Sequence, residues 1–283
     1  MNASNCKAAD STDSLEVEAS KPDFITASLL TIGPGEAVYS LYGHTALRLQ
    51  CPSHKLDYCF AFEMPVTPGQ ELRFLFTTAK AGFTVMQTRL FTDKYRQEGR
   101  GISQTVLNLL PGEKQELWRL LDGELERGAH WDYDFLTTNC SSMCIWMVEQ
   151  ALLKAGEHIS YSALPEAVDS GTYDDLLKHI SAHAPWARLF WTLRMGTRGS
   201  DTGQAAYKLA PPLLAEAWQN ATITGDNGQS RPMTVGKSKQ LLPQTLDVSR
   251  PSVITPTMAL VMTLILIAIA VLSLRLLKKK HKS

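Results

Sequence analysis

The sequence has little that marks nucleic-acid-binding, nucleotide-binding or disulfide-stabilised proteins. Lys plus Arg and Asp plus Glu each number 28, so the formal net charge is zero. The basic residues cluster only at the C-terminal tail, which argues against a nucleic-acid partner. Five cysteines, an odd number, do not form a disulfide framework. The chain also has no Gly-rich phosphate loop and no GxSxG motif, and we expect no cofactor.

One long hydrophobic run lies near the C-terminus. Residues 257–277, TMALVMTLILIAIAVLSLRLL, carry about 18 uncharged, mostly apolar residues before Arg275, enough for one transmembrane helix. Basic residues follow in the tail, residues 278–283, whereas the nearest upstream cation is Arg250. The positive-inside rule therefore places the tail in the cytoplasm and everything before the helix on the other side of the membrane.

The N-terminus has no recognisable export signal. Residues 1–22 are polar and rich in Ser, Ala and acidic residues, and we predict a disordered leader. The leader has neither a basic n-region nor an apolar h-region. Because the predicted topology requires export, we expect the signal peptide to precede this start.

Between the leader and the anchor we predict one α+β domain, residues 23–224, in which an antiparallel sheet packs on helices, and then a linker, residues 225–256, rich in Gly, Ser and Pro. The segments HTALRLQC and LDYCFAFEM, separated by PSHK, predict an antiparallel hairpin. A further strand is predicted at DFITASLLTIG and another from Val106 to Leu109, whereas GQELRFLFTTAKAGFTVMQTRL fits either helix or strands. Helical spacing predicts helices at PGEKQELWRLLDGELERG, SSMCIWMVEQALLKAG, YDDLLKHISAHAPWARLFWTLRM and PPLLAEAWQNA.

Cys140 is the first candidate for chemistry, because it stands where an extended segment becomes a helix, with Thr138 or Asn139 as the expected N-cap. A thiol in the first helical turn lies at the positive end of the helix dipole. This favours the thiolate, which is the nucleophilic form. The alternative is that Cys140 is a small buried residue on the apolar face of the helix.

A nucleophilic cysteine needs a base, and His44 is the best candidate because it begins a strand directly after the turn at Gly43. A tight hairpin on PSHK would pair His44 with Glu63, so that the carboxylate could orient the imidazole. A disulfide between Cys51 and Cys59 would require a different register and would displace Glu63.

A metal site is a second interpretation of the same region. Cys140 and Cys144 lie four residues apart, as do His179 and His183, and four such ligands could hold zinc. Core packing explains Cys144 equally well, because Met147 continues the same helix face. We therefore expect no metal.

The segments YSLYGHTALRL and, about 90 residues later, YDFLTTNCSS together resemble the Lnb N-terminal periplasmic domain family, formerly a domain of unknown function. The likeness extends more loosely over about residues 24–243. The resemblance implies a circularly permuted NlpC/P60 or papain-like fold in which His precedes Cys along the chain, as His44 precedes Cys140. It also implies a substrate site that includes Tyr42, Tyr133 and Asn139, which belong to the matching motifs.

The founding members of that family are implicated in lipoprotein N-acylation. By resemblance, Cys140 would form a thioester and His44 would transfer protons, so that we expect a periplasmic acyltransferase acting on lipoprotein or membrane lipid. Here the motif reads NCSSMC where NCSTR followed by an acidic residue is expected, a difference that bears on substrate choice. The single anchor is also shorter than the multi-helix membrane part of the founders. A cysteine peptidase or peptidoglycan amidase, and a non-enzymatic binding module of the cell envelope, are the alternatives.

Overall fold

The structure is a computed structural model that describes residues 25–37, 39–64, 78–162, 171–181, 184–201, 208–248 and 253–280. The leader prediction and residues 69–77 of the ambiguous segment lie outside these ranges. The strands are β1 Thr26–Ile32, β2 His44–Cys51, β3 Leu56–Glu63, β4 Lys80–Gln87, β5 Ile102–Val106, β6 Trp131–Asp132, β7 Glu157–Ser160, β8 Thr222–Gly225, β9 Ser230–Pro232 and β10 Lys239–Leu242. The helices are α1 Thr88–Gln97, α2 Pro111–Arg127, α3 Cys140–Leu153, α4 Tyr173–Ile180, α5 Pro185–Met195, α6 Pro211–Asn220 and α7 Pro256–Lys280.

The described part of the chain is an α+β fold built on an antiparallel sheet, as the sequence predicts. The strand order in the main sheet is β10-β5-β1-β2-β3-β4-β6, and a smaller sheet has the order β7-β8-β9. The predicted hairpin is β2 and β3, and its register pairs Cys51 with Leu56 and Ala46 with Ala61. Continued by two residues, this register brings His44 opposite Glu63.

Both faces of the main sheet are buried, because apolar side chains of β1, β2 and β3 alternate between them. On one face Leu29, Leu47 and Phe60 join the core formed with α2 and α3. On the other face Leu30, Ile32 and Ala46 pack with Phe91 and Tyr95, both of α1. The sheet is therefore a middle layer, and the ends of its strands are where side chains from both faces can meet.

Two predictions about strands need correction. The strand predicted from Val106 to Leu109 lies earlier, at β5, because its register with β1 ends at Val106. Beyond it, Leu107 donates to the carbonyl of Ala27 and forms an isolated bridge to Thr234. The alternative register with a disulfide between Cys51 and Cys59 is wrong, because Cys59 pairs with Arg48 in the hairpin and both thiols are free.

The predicted linker is also wrong over its first half. β8 pairs with β7 and β9, and β10 pairs with β5 at the edge of the main sheet. Beyond β10, the amides of Thr245 and Leu246 both donate to the carbonyl of Gly99. The polar composition of this segment follows from its position at a sheet edge, where most side chains face water.

Helix α7 agrees with the predicted anchor. Its first 19 residues, Pro256–Leu274, have a mean hydropathy of 2.7 and are not buried against the domain. Among the described residues it is the one helix that is long and apolar enough to cross a membrane. Its exposed apolar side chains need a nonaqueous environment, and a bilayer provides one.

Candidate functional site

The N-terminus of α3 is held by the side chain of Asn139. Its oxygen accepts hydrogen bonds from the amides of Ser141 and Ser142, at 2.9 and 3.0 Å, and its nitrogen donates to the carbonyl of Phe135. Cys140 is the first residue of the helix. Its amide therefore has no carbonyl partner within the helix and is available to a ligand.

His44 is positioned by the turn before β2. Gly43 has φ of +88°, and a Cβ at this position would lie 2.5 Å from the carbonyl oxygen of Ile32. Only glycine fits both the positive φ and this close approach to the backbone. The turn at Gly43 therefore determines where β2 begins, and His44 is the first residue of that strand.

Glu63 lies beside His44, as the hairpin register predicts. One carboxylate oxygen of Glu63 is 3.5 Å from Nε2 of His44 and 3.6 Å from Nζ of Lys94. The imidazole of His44 beside it, and then the charge of Lys94, lower the pKa of Glu63 to about 2, although burial opposes this. The carboxylate is therefore ionised at neutral pH and can orient the imidazole.

The structure places His44 and Cys140 side by side in one cleft, close enough for each to shift the pKa of the other. Burial alone would lower the pKa of His44, but the charge and hydrogen bond of Cys140, together with Glu63, raise it to about 9. Burial alone would raise the pKa of Cys140, but His44 and hydrogen bonds from the amide and hydroxyl of Thr45 lower it. These opposite shifts favour a thiolate–imidazolium pair at neutral pH.

A buried hydrogen bond connects β2 to α3 next to this pair. The hydroxyl oxygens of Thr45 and Ser141 are 3.1 Å apart, and neither residue is exposed to solvent. If Ser141 donates to Thr45, the Thr45 hydroxyl can donate to the sulfur of Cys140. The sequence gives no sign of this contact, because the two residues are 96 positions apart.

A cleft of about 520 Å³ opens above Cys140 and His44. The side of the cleft formed by α1 and the residues after it is charged, with Lys94, Glu98 and Arg100 among its lining. Arg100 is 5% exposed, donates to Gly33 and Glu98, and its Nη2 has no acceptor among the described residues. Sequence reasoning missed Lys94 and Arg100, which only the folding of α1 against β3 brings to the cleft.

The opposite side of the cleft is apolar. Tyr42, Phe135 and Leu209 belong to one buried cluster, against which Tyr133 packs, and all four line the cleft. Tyr42 and Tyr133 therefore line the cleft, and substrate binding by either residue stays a prediction. Asn139 also lines it, but its observed hydrogen bonds cap the helix, so that substrate binding by this amide stays a prediction.

The four proposed zinc ligands are only partly described. His183 and the side chain of His179 lie outside the described residues. Cys144 is fully buried, and burial together with the neighbouring Cys140 raises its pKa well above the ordinary value. Cys144 belongs to the buried apolar core together with Met147, so that core packing accounts for its place on α3.

Comparison with known proteins gives one family. A search of curated proteins and of solved structures found no significant match. The family model described as the Lnb N-terminal periplasmic domain matches residues 12–174, which is more than half of the chain. The matched region includes Cys140, His44 and Glu63. A periplasmic domain followed by one candidate membrane-spanning helix is the arrangement of a single-pass envelope protein of the inner membrane. The chain belongs to the Lnb N-terminal periplasmic domain family.

Proposed function

We propose that this protein is a periplasmic thiol acyltransferase, anchored in the inner membrane, that transfers an acyl chain from a lipid-borne ester to the N-terminal amine of a lipoprotein. The observation that carries the proposal is the contact of Cys140 at a helix N-terminus with His44, which in turn contacts Glu63. In the proposed reaction Cys140 is the nucleophile, His44 is the acid and base, and Glu63 orients the ring of His44.

The first step forms a thioester. The Cys140 thiolate attacks the ester carbonyl, and the resulting oxyanion can accept a hydrogen bond from the amide of Cys140 at the start of α3. The carbon–oxygen bond of the ester then breaks, and the imidazolium of His44 gives its proton to the departing alkoxide. The products of this step are an acylated Cys140, a free alcohol on the donor lipid and a neutral His44.

The second step transfers the acyl chain. The acceptor amine attacks the thioester while neutral His44 takes a proton from the nitrogen. The carbon–sulfur bond breaks, and the thiolate–imidazolium pair is restored. The sum of the two steps converts an ester and an amine into an amide and an alcohol; with water as acceptor, the same steps would give hydrolysis.

The lining of the cleft supports a substrate with a polar part and an acyl chain. The apolar side, with Tyr42, Phe135 and Leu209, suits an aliphatic chain. The charged side offers the buried Nη2 of Arg100, which has no acceptor among the described residues, to a carbonyl or headgroup oxygen. The single-pass anchor keeps the domain close to lipid and so raises the effective concentration of such substrates.

The experiment is detection of an acyl adduct on Cys140. The full-length protein is incubated with bacterial membrane vesicles, and its mass and its Cys140 peptide are measured. We expect a mass increase equal to a fatty acid minus one water, and we expect hydroxylamine to remove it, because this reagent cleaves thioesters. Cys140→Ala should remove the adduct, whereas Cys144→Ala, four residues further along α3, should retain it.

Product analysis separates the acyltransferase from the other functions. An N-acylated lipoprotein peptide that depends on Cys140 supports the proposal. Free fatty acid without an acylated amine, or altered muropeptides after deletion of the gene, would assign a hydrolase instead. Wild-type protein that stays folded and never forms an adduct would overturn the acyltransferase proposal.

A further inference from the structure

Helix α5 is apolar on two opposite faces. Its inner face carries Ala187, Trp191 and Met195, which are buried. Its outer face carries Trp186, Leu189 and Leu193, which are 46, 38 and 61% exposed. Positions 186, 189 and 193 follow the spacing of one stripe along a helix, which we call the outer stripe. These exposures are measured with α7 present, so the anchor helix does not cover the stripe.

The outer stripe is continuous with the membrane anchor. The indole nitrogen of Trp186 donates a hydrogen bond to the carbonyl of Ile254, at 2.7 Å. Ile254 is two residues before the start of α7, and both Ile254 and its neighbour Val253 are exposed, by 46 and 90%. Trp186 therefore lies at the level where the chain enters the bilayer, which is the zone that tryptophan favours in membrane proteins.

We propose that α5 lies on the periplasmic surface of the inner membrane, with the outer stripe inserted at the boundary between lipid headgroups and acyl chains. Three large apolar side chains in one stripe would be unfavourable in water. A bilayer provides the surface that covers them, because α7 already fixes the neighbouring residues at that depth. Interfacial helices of soluble domains bury their apolar face in this way.

The position of α5 has a consequence for the cleft. On the inner face of α5, Trp191 stacks on Phe135 with ring centroids 3.9 Å apart and tilts against Tyr42 at 6.3 Å. Phe135 and Tyr42 form the apolar side of the cleft. Because an α-helix with its side chains is about 10 Å wide, this side of the cleft would lie about one helix diameter from the bilayer. The inference does not depend on the chemistry at Cys140.

The test is a depth measurement on the full-length protein in vesicles of phosphatidylethanolamine and phosphatidylglycerol. A nitroxide label is attached at Leu193→Cys, in a protein whose Cys6 and Cys140 are replaced by Ser so that the remaining native cysteines are buried ones. The matched control is Leu153→Cys at the far end of α3, where the leucine is 65% exposed. Accessibility of each label to oxygen, which partitions into lipid, and to a water-soluble nickel complex is measured by electron paramagnetic resonance.

We expect the label at position 193 to be accessible to oxygen and shielded from nickel, and the label at position 153 to show the reverse. Equal exposure of both labels to nickel would overturn the proposal. The label at position 193 could also stay shielded from nickel in detergent micelles that each hold two protein chains. A second copy of the chain would then cover the outer stripe, and the membrane proposal would be overturned. A shielded label at position 193, combined with wild-type protein that forms no acyl adduct on Cys140, would leave this inference standing while the proposed function fails.

Discussion

At the scale of single residues, the site depends on charges that stabilise each other. The anionic Glu63 and the thiolate of Cys140 both favour the protonated form of His44, whose pKa rises to about 9. The imidazolium in turn lowers the pKa of Cys140. Thr45 contributes from the neighbouring strand through its amide and its hydroxyl. The pKa of the Cys140 thiol is therefore lowered by its neighbours, whereas burial raises the pKa of the Cys144 thiol and keeps it protonated.

Replacing His44 should make Cys140 less reactive. In His44→Gln the thiol loses the positive charge that lowers its pKa, so that a smaller fraction is thiolate at pH 7 and alkylation by iodoacetamide slows. Each unit of pKa changes the thiolate fraction about tenfold, and we expect a loss of about tenfold or more. The alkylation rate at Cys140 is measured by peptide mapping between about pH 5 and pH 9. This range includes the unperturbed pKa values of histidine and cysteine, about 6.5 and 8.5.

The matched control is His158→Gln, because His158 is exposed on β7, away from the cleft. An unchanged rate in His44→Gln would mean that the imidazole does not activate the thiol.

In the wild type, thioester formation should also slow above about pH 9, because His44 then loses the proton that the leaving alkoxide needs.

At the scale of elements, the main sheet is completed by a segment that is far away in sequence. β10 adds to the edge of β5, and Leu242 is buried with Ile102 in the cluster beneath α1. The next residues bind back to Gly99 at the end of α1. This edge therefore supports α1, which supplies Lys94 to the site.

The pair Leu241 and Leu242 tests whether this segment is a strand or a linker. Leu242 is 7% exposed, whereas Leu241 is 41% exposed. Leu242→Asp places a carboxylate in an apolar cluster and should reduce the free energy of unfolding by about 2 kcal/mol or more. Leu241→Asp should change it by no more than about 0.5 kcal/mol.

The measurement is urea unfolding followed by circular dichroism in detergent, with both variants prepared in the same way. A linker would tolerate the two substitutions equally. Equal effects of Leu241→Asp and Leu242→Asp would therefore contradict the pairing of β10 with β5.

At the scale of the whole molecule, the anchor determines what the cleft can meet. The domain and α7 are joined by few residues, and Trp186 is bonded to the segment just before the helix. The basic residues after residue 274 are expected on the cytoplasmic side. In the proposed arrangement these features would hold the cleft on the periplasmic side and near lipid.

The orientation predicts the behaviour of fusion proteins. Green fluorescent protein fused after Ser283 should fluoresce, because it folds in the cytoplasm but not after Sec-dependent export. Alkaline phosphatase fused at the same point should be inactive, because it needs periplasmic disulfides. The reverse pair of results would show that the C-terminus is periplasmic.

The sequence alone determined the features that depend on local spacing. The anchor follows from an uninterrupted apolar run, the hairpin from two apolar segments around PSHK, and the cap of α3 from Asn139 before Cys140. The pairing of His44 with Glu63 also followed, because a tight hairpin fixes the register of its strands.

Only the tertiary structure decided what depends on distant segments. The segment from 225 to 246 has the composition of a linker, and its strands β9 and β10 form because β8 and β5 offer free edges. The contact of Thr45 with Ser141 and the position of Arg100 arise from packing between elements that are far apart in the sequence. The meeting of His44 with Cys140 was a hypothesis from motif and compartment; the sheet and α3 give it a geometry, because a strand end and a helix N-terminus can share one cleft only after the chain between them has folded.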